Sequence, residues 1–375
     1  MGAPELVGVL FFFLALALAC LALVLFWLAW MRRPLRLVRL VQNPILSPDS
    51  SVWWASEAVF NPGAVYHKGQ VHLFYRALGH DGISRIGYAV SKDGIHFERS
   101  PKPAYDPGFG IAVPEPMPGK QVSYRTLSYD TDLYASGGGW GGSEDPRAVI
   151  IDEKLYLTFG IFESWQSMRL AIAALALPDL TAVLWRWSPH IPMSPAQETH
   201  KNWVLFPEKI NGKFAILHAM TPTLMIEYVE DLESLRKTPI KSNNRRGGRD
   251  GHWDAFVRGA AAPPIKTDQG WLLLYHGMTP HGGHGYNVGA MLLDLNDPTK
   301  ILYRSAHPVL VPEAWYEHDW KPGVVYASGA VVVDNQLIVY YGGGDKHIAA
   351  AQAPLHEFLH KLMTGDHAVL QEVRV

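Results

Sequence analysis

Short apolar runs, each bounded by a tight polar turn, recur along most of the chain. Five such turns are each followed by an apolar or aromatic run and then by another, which predicts strands joined by hairpins. The turns lie at residues 67–70, 152–154, 211–213, 268–270 and 334–336. A β-sandwich would account for the strands but not for their fivefold recurrence. The sequence therefore predicts an all-β fold, a five-bladed β-propeller.

The chain begins with a different pattern, because no charged residue occurs from Leu6 to Met31. At about 1.5 Å per residue this run would exceed the roughly 30 Å hydrocarbon core of a bilayer. It predicts one transmembrane helix, with Trp27 and Trp30 at the membrane interface. A cleaved signal peptide fits less well, because the run is long and no basic segment precedes it.

Basic residues flank this run on one side only, since Arg32 and Arg33 follow it and no Lys or Arg precedes it. The positive-inside rule then predicts a single-pass protein of a bacterial inner membrane, with the domain after the span in the cytoplasm. We accordingly divide the chain into residues 1–40, a transmembrane anchor with its basic juxtamembrane segment, and residues 41–375, the propeller domain.

Composition excludes some classes of protein. The 33 Lys and Arg residues nearly balance 35 Asp and Glu residues among 375, so nothing favours binding to nucleic acid. Cys20 is the only cysteine, so the propeller domain can hold neither a disulfide nor a cysteine-based metal site. The two histidines His281 and His284 lie in a glycine-rich stretch without accompanying acids, and we predict a loop there and no metal site.

Polar residues at the ends of predicted inner strands should converge on the propeller axis. The motif Glu144-Asp145-Pro146-Arg147 follows a glycine-rich stretch and opens an apolar strand. The other candidates are Asn61, Arg76, Arg85, Lys201, Asn202, Glu208, Lys209, Arg258, His276 and Asp345. Carboxylates can donate a proton or accept bonds from hydroxyls, and cations can bind an anion, which suits a polyhydroxylated substrate. Asp145 could instead only pair with Arg147, and His276 could be a buried core histidine.

These motifs, in this order, give residues 43–355 a clear resemblance to glycoside hydrolase family 130, the β-mannoside phosphorylases and related β-mannosidases. The matching stretches are Asn43–Leu46, Ala58–Pro62, Phe74–Ala77, Ser84–Ala89, Glu144–Arg147, Leu205–Lys209, Pro263–Ile265, Gly270–Trp271, Tyr275–Gly277, Leu292–Asp294 and Tyr340–Asp345. The resemblance implies a five-bladed propeller and an inverting enzyme that acts on β-mannosides.

The resemblance also implies roles for individual residues. Asp145 matches the general acid, which protonates the glycosidic oxygen through a sugar hydroxyl while inorganic phosphate attacks the anomeric carbon. The positions that hold the sugar match Asn61, Arg76 and Asp345. The positions that contact phosphate match Lys201, Asn202 and His276. No cofactor is implied, and phosphate would be a co-substrate that yields mannose 1-phosphate.

Two positions depart from the pattern of the phosphorylases. Ala219 stands where many have an arginine, and Val257 stands where a lysine is common, with Arg258 one position along. Phosphorolysis is still preferred, because Lys201, Asn202 and His276 remain. Hydrolysis stays open, with Asp250, Asp254 and Glu227 as candidate bases about 6.5–9.5 Å from the acid.

Two further readings also stay open. One is a non-catalytic, membrane-tethered sugar-binding propeller, and the other is a furanosidase-type hydrolase. Such a hydrolase needs an aspartate on the first blade, so Asn61 argues against it. The sequence does not predict the linkage, the aglycone or the oligomeric state.

Overall fold

The computed structural model describes residues 12–25, 35–106, 141–164, 167–245, 247–278 and 285–364. The chain divides into two units, Met1–Leu35 and Arg36–Val375, each of which is considered by itself.

In the first unit, the described residues 12–25 are helical and form α1. In the described ranges no helix is long and apolar enough to cross a membrane. The predicted fold class is therefore wrong in its transmembrane helix over Leu6–Met31, and the predicted inner-membrane localisation with a cytoplasmic domain is wrong with it. Residues 1–11 and 26–34, which include Trp27 and Trp30, lie outside the described residues.

The second unit consists of consecutive antiparallel meanders, of which the first two share a sheet. The first meander contains β2 (Ala58–His67), β3 (Gln70–Leu78), β4 (Ile83–Ser91) and β5 (Glu98–Arg99). The second contains β6 (Gly141–Ile151), β7 (Lys154–Ser164), β8 (Ser167–Ala176) and β9 (Ile191–Pro192), with helix α2 (Leu177–Thr181) after β8. A short parallel pairing of Ile83 with Gly141 joins the two meanders.

Three separate sheets follow. The first of them contains β10 (Val204–Leu205), β11 (Phe214–Ala219) and β12 (Met225–Val229). The second contains β13 (Phe256–Ala260), β14 (Ile265–Thr267), β15 (Gly270–Met278), β16 (Asn287–Leu293) and β17 (Ile301–Arg304). The last contains β18 (Val325–Val333), β19 (Gln336–Gly343) and β20 (His347–Pro354). Helix α3 (Leu355–Thr364) and short 3-10 helices at Trp53–Ala55, Leu232–Arg236 and Trp315–Glu317 complete the described elements. Each of the five predicted turns lies at the hairpin that enters a long strand, in a five-bladed, propeller-like arrangement.

An early strand completes the last sheet. Strand β1 (Val38–Arg39) pairs antiparallel with β20, with Arg39 opposite Ala351. The Arg39 guanidinium also binds both oxygens of the buried Glu317 carboxylate, at 2.8 and 2.9 Å. The beginning of this unit is thereby fixed to its end, which protects one edge of the last sheet.

The hydrophobic core lies between neighbouring meanders rather than at one centre. Phe74 of the first meander packs in one cluster with Phe159 of the second. Ile172 and Ile216 belong to a cluster between the second and third meanders. Because both faces of a meander are covered in this way, the strands are apolar on both sides and show little alternation.

A β-bulge interrupts the inner strand of four of the five meanders. The register shifts lie between Phe60 and Gly63, Glu144 and Arg147, Val257 and Gly259, and Ala327 and Gly329. Bulges re-aim side chains at the point where pairing is interrupted. In the first two, Asn61 and Asp145 adopt left-handed φ values of 49° and 48°, which Asn and Asp tolerate better than other non-glycine residues.

Candidate active site

Asp145 and Asn61 meet at the bulges of two neighbouring inner strands. The Asn61 Nδ2 group donates to Asp145 Oδ1 at 2.7 Å. Asn61 also lies against β19, where a Cβ added at Gly342 would come within 2.2 Å of the Asn61 amide oxygen. Glycine at position 342 therefore allows this amide to approach the strand and face Asp145.

Arg76 of β3 bridges two adjacent carboxyl groups. Its Nη2 atom lies 3.1 Å from Glu144 Oε1, and its Nη1 atom lies 3.5 Å from Asp145 Oδ1. Its Nε atom donates to Ser84 Oγ at 3.0 Å, and the guanidinium stacks 4.8 Å from the centroid of the Phe60 ring. Arg76 is almost completely buried, so its orientation is fixed by these contacts.

Lys201 approaches the same carboxyl pair from the segment before β10. Its Nζ atom lies 3.6 Å from Glu144 Oε2. Glu144, Asp145, Lys201 and His200 help to line a cavity of about 10 Å³. A cavity of this size holds about one water molecule.

The two carboxyl groups differ in their tendency to ionise. Burial raises the pKa of Glu144 to about 7, although Arg76 and Lys201 oppose the rise. For Asp145, burial also opposes ionisation, but the charges of Arg76, Lys201 and Arg147 hold its pKa below the usual range. Near neutral pH Asp145 is therefore ionised, and the proton that the pair still holds in part belongs to Glu144.

Arg147 organises the neighbouring group of polar side chains. Its Nη2 atom donates to Asn202 Oδ1 and to Tyr326 Oη, at 3.3 Å in both cases. Tyr326 Oη also donates to Asn202 Oδ1, and Asn202 Nδ2 donates to the Arg258 carbonyl at 3.1 Å. Burial raises the pKa of Tyr326 to about 12, so its hydroxyl stays protonated.

His276 stacks on Tyr326, with ring centroids 4.1 Å apart. Burial, together with the charges of Arg147 and Arg258, lowers its pKa to about 3, so the imidazole is neutral. Neither ring nitrogen makes a hydrogen bond of normal geometry to the described residues, although the Ala327 backbone lies close enough to oppose the shift. A neutral, dry imidazole beside cations is well suited to donate a hydrogen bond to an anionic oxygen.

Asp345 lies in the turn after β19, in a left-handed conformation with φ of 54°. Its carboxylate accepts from Lys321 Nζ at 2.9 Å. Lys321 Nζ lies 5.3 Å from the centroid of the Tyr286 ring, and the Arg258 guanidinium lies 5.7 Å from the same centroid. Tyr286 thus stands between the cations near Asp345 and those near His276.

The structure brings most of the predicted site residues into two contacting groups. Asn61, Arg76 and Lys201 surround the pair formed by Glu144 and Asp145, whereas Asn202 and His276 surround Arg147 and Tyr326. Asp345 follows β19, in which Gly342 lies against Asn61 of the first group. Among the described residues, no side-chain contact joins Asp345 to that group directly. These positions are compatible with the predicted roles, which remain predictions.

The residues predicted to hold the sugar, the phosphate or the catalytic proton did not include Glu144, Arg147, Lys321 or Tyr326. Glu144 and Arg147 stand in the motif that contains Asp145, so the signal for them was present. Tyr326 and Lys321 had no such signal, because they lie at the start of β18 and just before it, where nothing local marks an inward orientation.

The three candidate bases for hydrolysis do not share one environment. Asp254 is fully buried and accepts from Arg249 at 2.8 Å, from Arg304 at 2.6 Å and from the Tyr275 hydroxyl at 2.6 Å. Asp250 and Glu227 are exposed. Because Asp254 is saturated with donors and held ionised by them, its contacts fit a structural role.

Metal ligation has little support in the part of the chain that is described. No group of three or more His, Cys, Asp or Glu side chains there could hold a metal ion. His281 and His284 lie outside the described residues.

The site combines a buried carboxyl pair, held by an amide and a guanidinium, with a neighbouring group of cations and a neutral imidazole. This combination is typical of a carbohydrate-active site of the glycosidase type. The pair can supply a proton to a leaving oxygen, and the neighbouring cations can hold an anion.

Comparison with known proteins identifies the family. The profile described as beta-1,4-mannooligosaccharide phosphorylase matches residues 134–364. A 1,2-beta-oligomannan phosphorylase of Thermoanaerobacter sp. (strain X514) is 34% identical, over 84% of this chain and 97% of its own. A beta-1,2-mannobiose phosphorylase of the same organism is 35% identical, over 84% and 96%. The solved structure of the Listeria innocua beta-1,2-mannobiose phosphorylase is 25% identical to this chain, and the match covers 87% of this chain and 99% of that one, with a TM-score of 0.63.

The chain therefore belongs to glycoside hydrolase family 130, which confirms the resemblance drawn from its motifs. It is a glycosidase-type enzyme that acts on β-mannosides.

Proposed function

We propose that this protein phosphorolyses β-1,2-linked mannosides, transferring a mannosyl group to inorganic phosphate with inversion to give mannose 1-phosphate. The observation that carries the proposal is the presence of two cations beside Asp145. Lys201 lies against the carboxyl pair, and Arg147 belongs to the neighbouring group that contains the neutral His276. The β-1,2 linkage rests on the two relatives that are 34% and 35% identical over 84% of the chain, since both are named for that linkage.

In this proposal Asp145 is the general acid, and Asn61, Arg76 and Asp345 hold the mannosyl group. The Asn61 amide, which donates to Asp145 at 2.7 Å, keeps the carboxyl group oriented towards the substrate. Arg76 acts on the sugar largely by fixing both carboxyl groups, because its own guanidinium already contacts them at 3.1 and 3.5 Å.

Phosphate is assigned to Lys201, Asn202 and His276. Cations raise the local occupancy of an anion, and a neutral imidazole donates without requiring a proton to be taken up. Arg147, which binds Asn202 Oδ1 at 3.3 Å, orients this amide and adds positive charge.

The bulge in β13 supports Arg258 as a substitute for the lysine expected at Val257. Val257 pairs with Gly277 and Gly259 pairs with His276, so Arg258 is the unpaired residue between them. The Arg258 guanidinium and the His276 ring lie 5.7 and 6.2 Å from the centroid of the Tyr286 ring, so both side chains are close to this tyrosine. A bulge can present a side chain that a one-residue shift in a regular strand would turn away.

Phosphorolysis is favoured over hydrolysis by the surroundings of the candidate bases. Asp254 is engaged by two arginines, and Asp250 and Glu227 are exposed, whereas the cations lie beside the acid. We further propose that residues 41–375 form the catalytic domain, although β1, at Val38–Arg39, also pairs with its last strand.

The test is to incubate the full-length chain with β-1,2-mannobiose and β-1,4-mannobiose, each with and without inorganic phosphate. Mannose 1-phosphate and free mannose are quantified separately. We expect phosphate-dependent mannose 1-phosphate, formed faster from the β-1,2-linked substrate. Free mannose at the same rate without phosphate would refute phosphorolysis, and a preference for the β-1,4-linked substrate would refute the linkage.

A further inference from the structure

We propose that Glu144 is a positioning residue for the catalytic proton: it stores the proton that Asp145 delivers to the leaving group. The inference rests on the proposed function of Asp145 as general acid. It extends that function to a second carboxyl group, which acts only through Asp145.

The bulge in β6 brings these two consecutive carboxyl groups to one side. In a regular strand, neighbouring side chains point to opposite faces of the sheet. Here the register shifts between Glu144 and Arg147, and Asp145 has φ of 48°. As a result, both carboxyl groups contact the guanidinium of Arg76, at 3.1 and 3.5 Å.

The contacts of Glu144 differ from those of a structural carboxylate in the same protein. Glu317 is equally buried, but it accepts hydrogen bonds from Arg39, from the Tyr341 hydroxyl at 2.8 Å and from the backbone amides of Glu313 and Ala314. Neither oxygen of Glu144 receives a hydrogen bond of normal geometry from the described residues. A buried carboxyl group with so few donors is stabilised less as an anion, so it keeps its proton more readily.

The charged groups that face Glu144 come from three parts of the chain. Arg76 faces it from β3 and Lys201 from the segment before β10, while Asp145 and Arg147 follow it in β6. Gly160 of β7 packs near its Cβ and brings no charge. His200, which lines the same small cavity, pairs with Glu198 at 2.6 Å. One water in that cavity would connect Glu144 to its neighbours.

The proton transfers balance over one turnover. The O–H bond of Glu144 breaks and its proton moves to Asp145, which passes a proton to the departing oxygen, directly or through a sugar hydroxyl. The bond between the anomeric carbon and that oxygen breaks as a phosphate oxygen bonds to the carbon. Monohydrogen phosphate loses its proton when it becomes the sugar phosphate, and this proton reloads the pair.

Glu144→Gln tests the proposal, because glutamine has the shape of a protonated glutamate but no proton to transfer. In the full-length protein, kcat/KM is measured from pH 5 to 9 for the native chain, for Glu144→Gln and for Glu144→Asp. Glu230→Gln, at an exposed site, is the matched control. We expect Glu144→Gln to lower kcat/KM at pH 7 by about 10- to 100-fold, to shift its optimum to acidic pH and to leave the melting temperature unreduced. Glu144→Asp should restore part of the activity at neutral pH.

A native rate and an unshifted pH profile in Glu144→Gln would overturn the proposal. So would a loss that is equal at every pH and accompanied by a lower melting temperature, which would indicate a structural role only.

An infrared titration without substrate separates this proposal from the proposed function. We expect a protonated carboxyl band in the native protein at neutral pH that is absent in Glu144→Gln. Absence of the band in the native protein refutes the proton store, whatever the activity. With the band present, inactivity of the native protein on both mannobioses would refute the proposed function instead.

Discussion

Replacing Glu144 by glutamine should stabilise the folded protein at alkaline pH. Burial raises the pKa of Glu144 from 4.5 to about 7. A carboxyl group whose pKa is higher in the folded state binds more protons there than in the unfolded state. The free energy of unfolding therefore falls as the pH rises through this window, from about 4.5 to about 7.

The size of the effect follows from the two pKa values. Each pH unit between them costs the folded state about 1.4 kcal/mol, so the ionised Glu144 destabilises it by about 3 kcal/mol above pH 7. Glutamine mimics the protonated form and does not ionise. The free energy of unfolding of Glu144→Gln, relative to the native chain, should therefore increase by about 3 kcal/mol between pH 4.5 and pH 8 and then level off.

Urea-induced unfolding at several pH values from 4.5 to 8.5 measures this difference. Comparing the variant with the native chain at each pH removes the contribution of the titrating groups that do not interact with Glu144. Glu230→Gln, the exposed control, should show a constant difference near zero. A difference for Glu144→Gln that does not change with pH would refute the reasoning, because Glu144 would then titrate alike in the folded and unfolded states.

Three further predictions concern the other parts of the site and the closure of the fold. Asp145→Asn should lower kcat by about 10²- to 10⁴-fold without lowering the melting temperature. Asp152→Asn, at an exposed left-handed residue in the turn that follows β6, should leave kcat unchanged. Retained activity in Asp145→Asn would remove it as the acid. His276→Ala should raise the KM for phosphate at least about tenfold. His72→Ala, which removes a buried imidazole elsewhere, should leave this KM unchanged. Equal KM values for His276→Ala and the native chain would exclude His276 from the phosphate site. Arg39→Met should destabilise the fold by about 3 kcal/mol, because it leaves the Glu317 carboxylate buried without its cation. Glu313, the second ion-pair partner of Arg39, is exposed, so Glu313→Gln should cost under about 0.5 kcal/mol. Equal melting temperatures for Arg39→Met and the native chain would show that this ion pair does not hold β1 in place.

The apolar run at the beginning of the chain illustrates a limit of composition as a guide. Hydropathy reports that residues 6–31 lack charge, but a membrane span also requires one helix of sufficient length. In the described ranges no helix is long and apolar enough to cross a membrane. The prediction of an anchor was therefore wrong, since hydropathy reports the absence of charge and not the presence of a membrane-spanning helix.

Local sequence patterns were enough to predict the hairpins and the family. Turn-forming residues such as Asn211 and Gly212 act over a few positions, so their pattern places five hairpins correctly without any long-range contact. The motif Glu144–Arg147 is likewise continuous in the chain, and it led to Asp145. The separate motifs in their order then sufficed to recognise glycoside hydrolase family 130.

Which charged groups meet, and which carboxyl group holds a proton, depends on contacts that form when distant parts of the chain pack together. Arg76 and Glu144 are 68 positions apart in the sequence, yet their side chains are 3.1 Å apart, and Lys201 comes from a third meander. The same structure assigns Asp254 to a buried network with Arg249 and Arg304. A pKa depends on burial and on charges within a few ångströms, and both arise only when the meanders pack together.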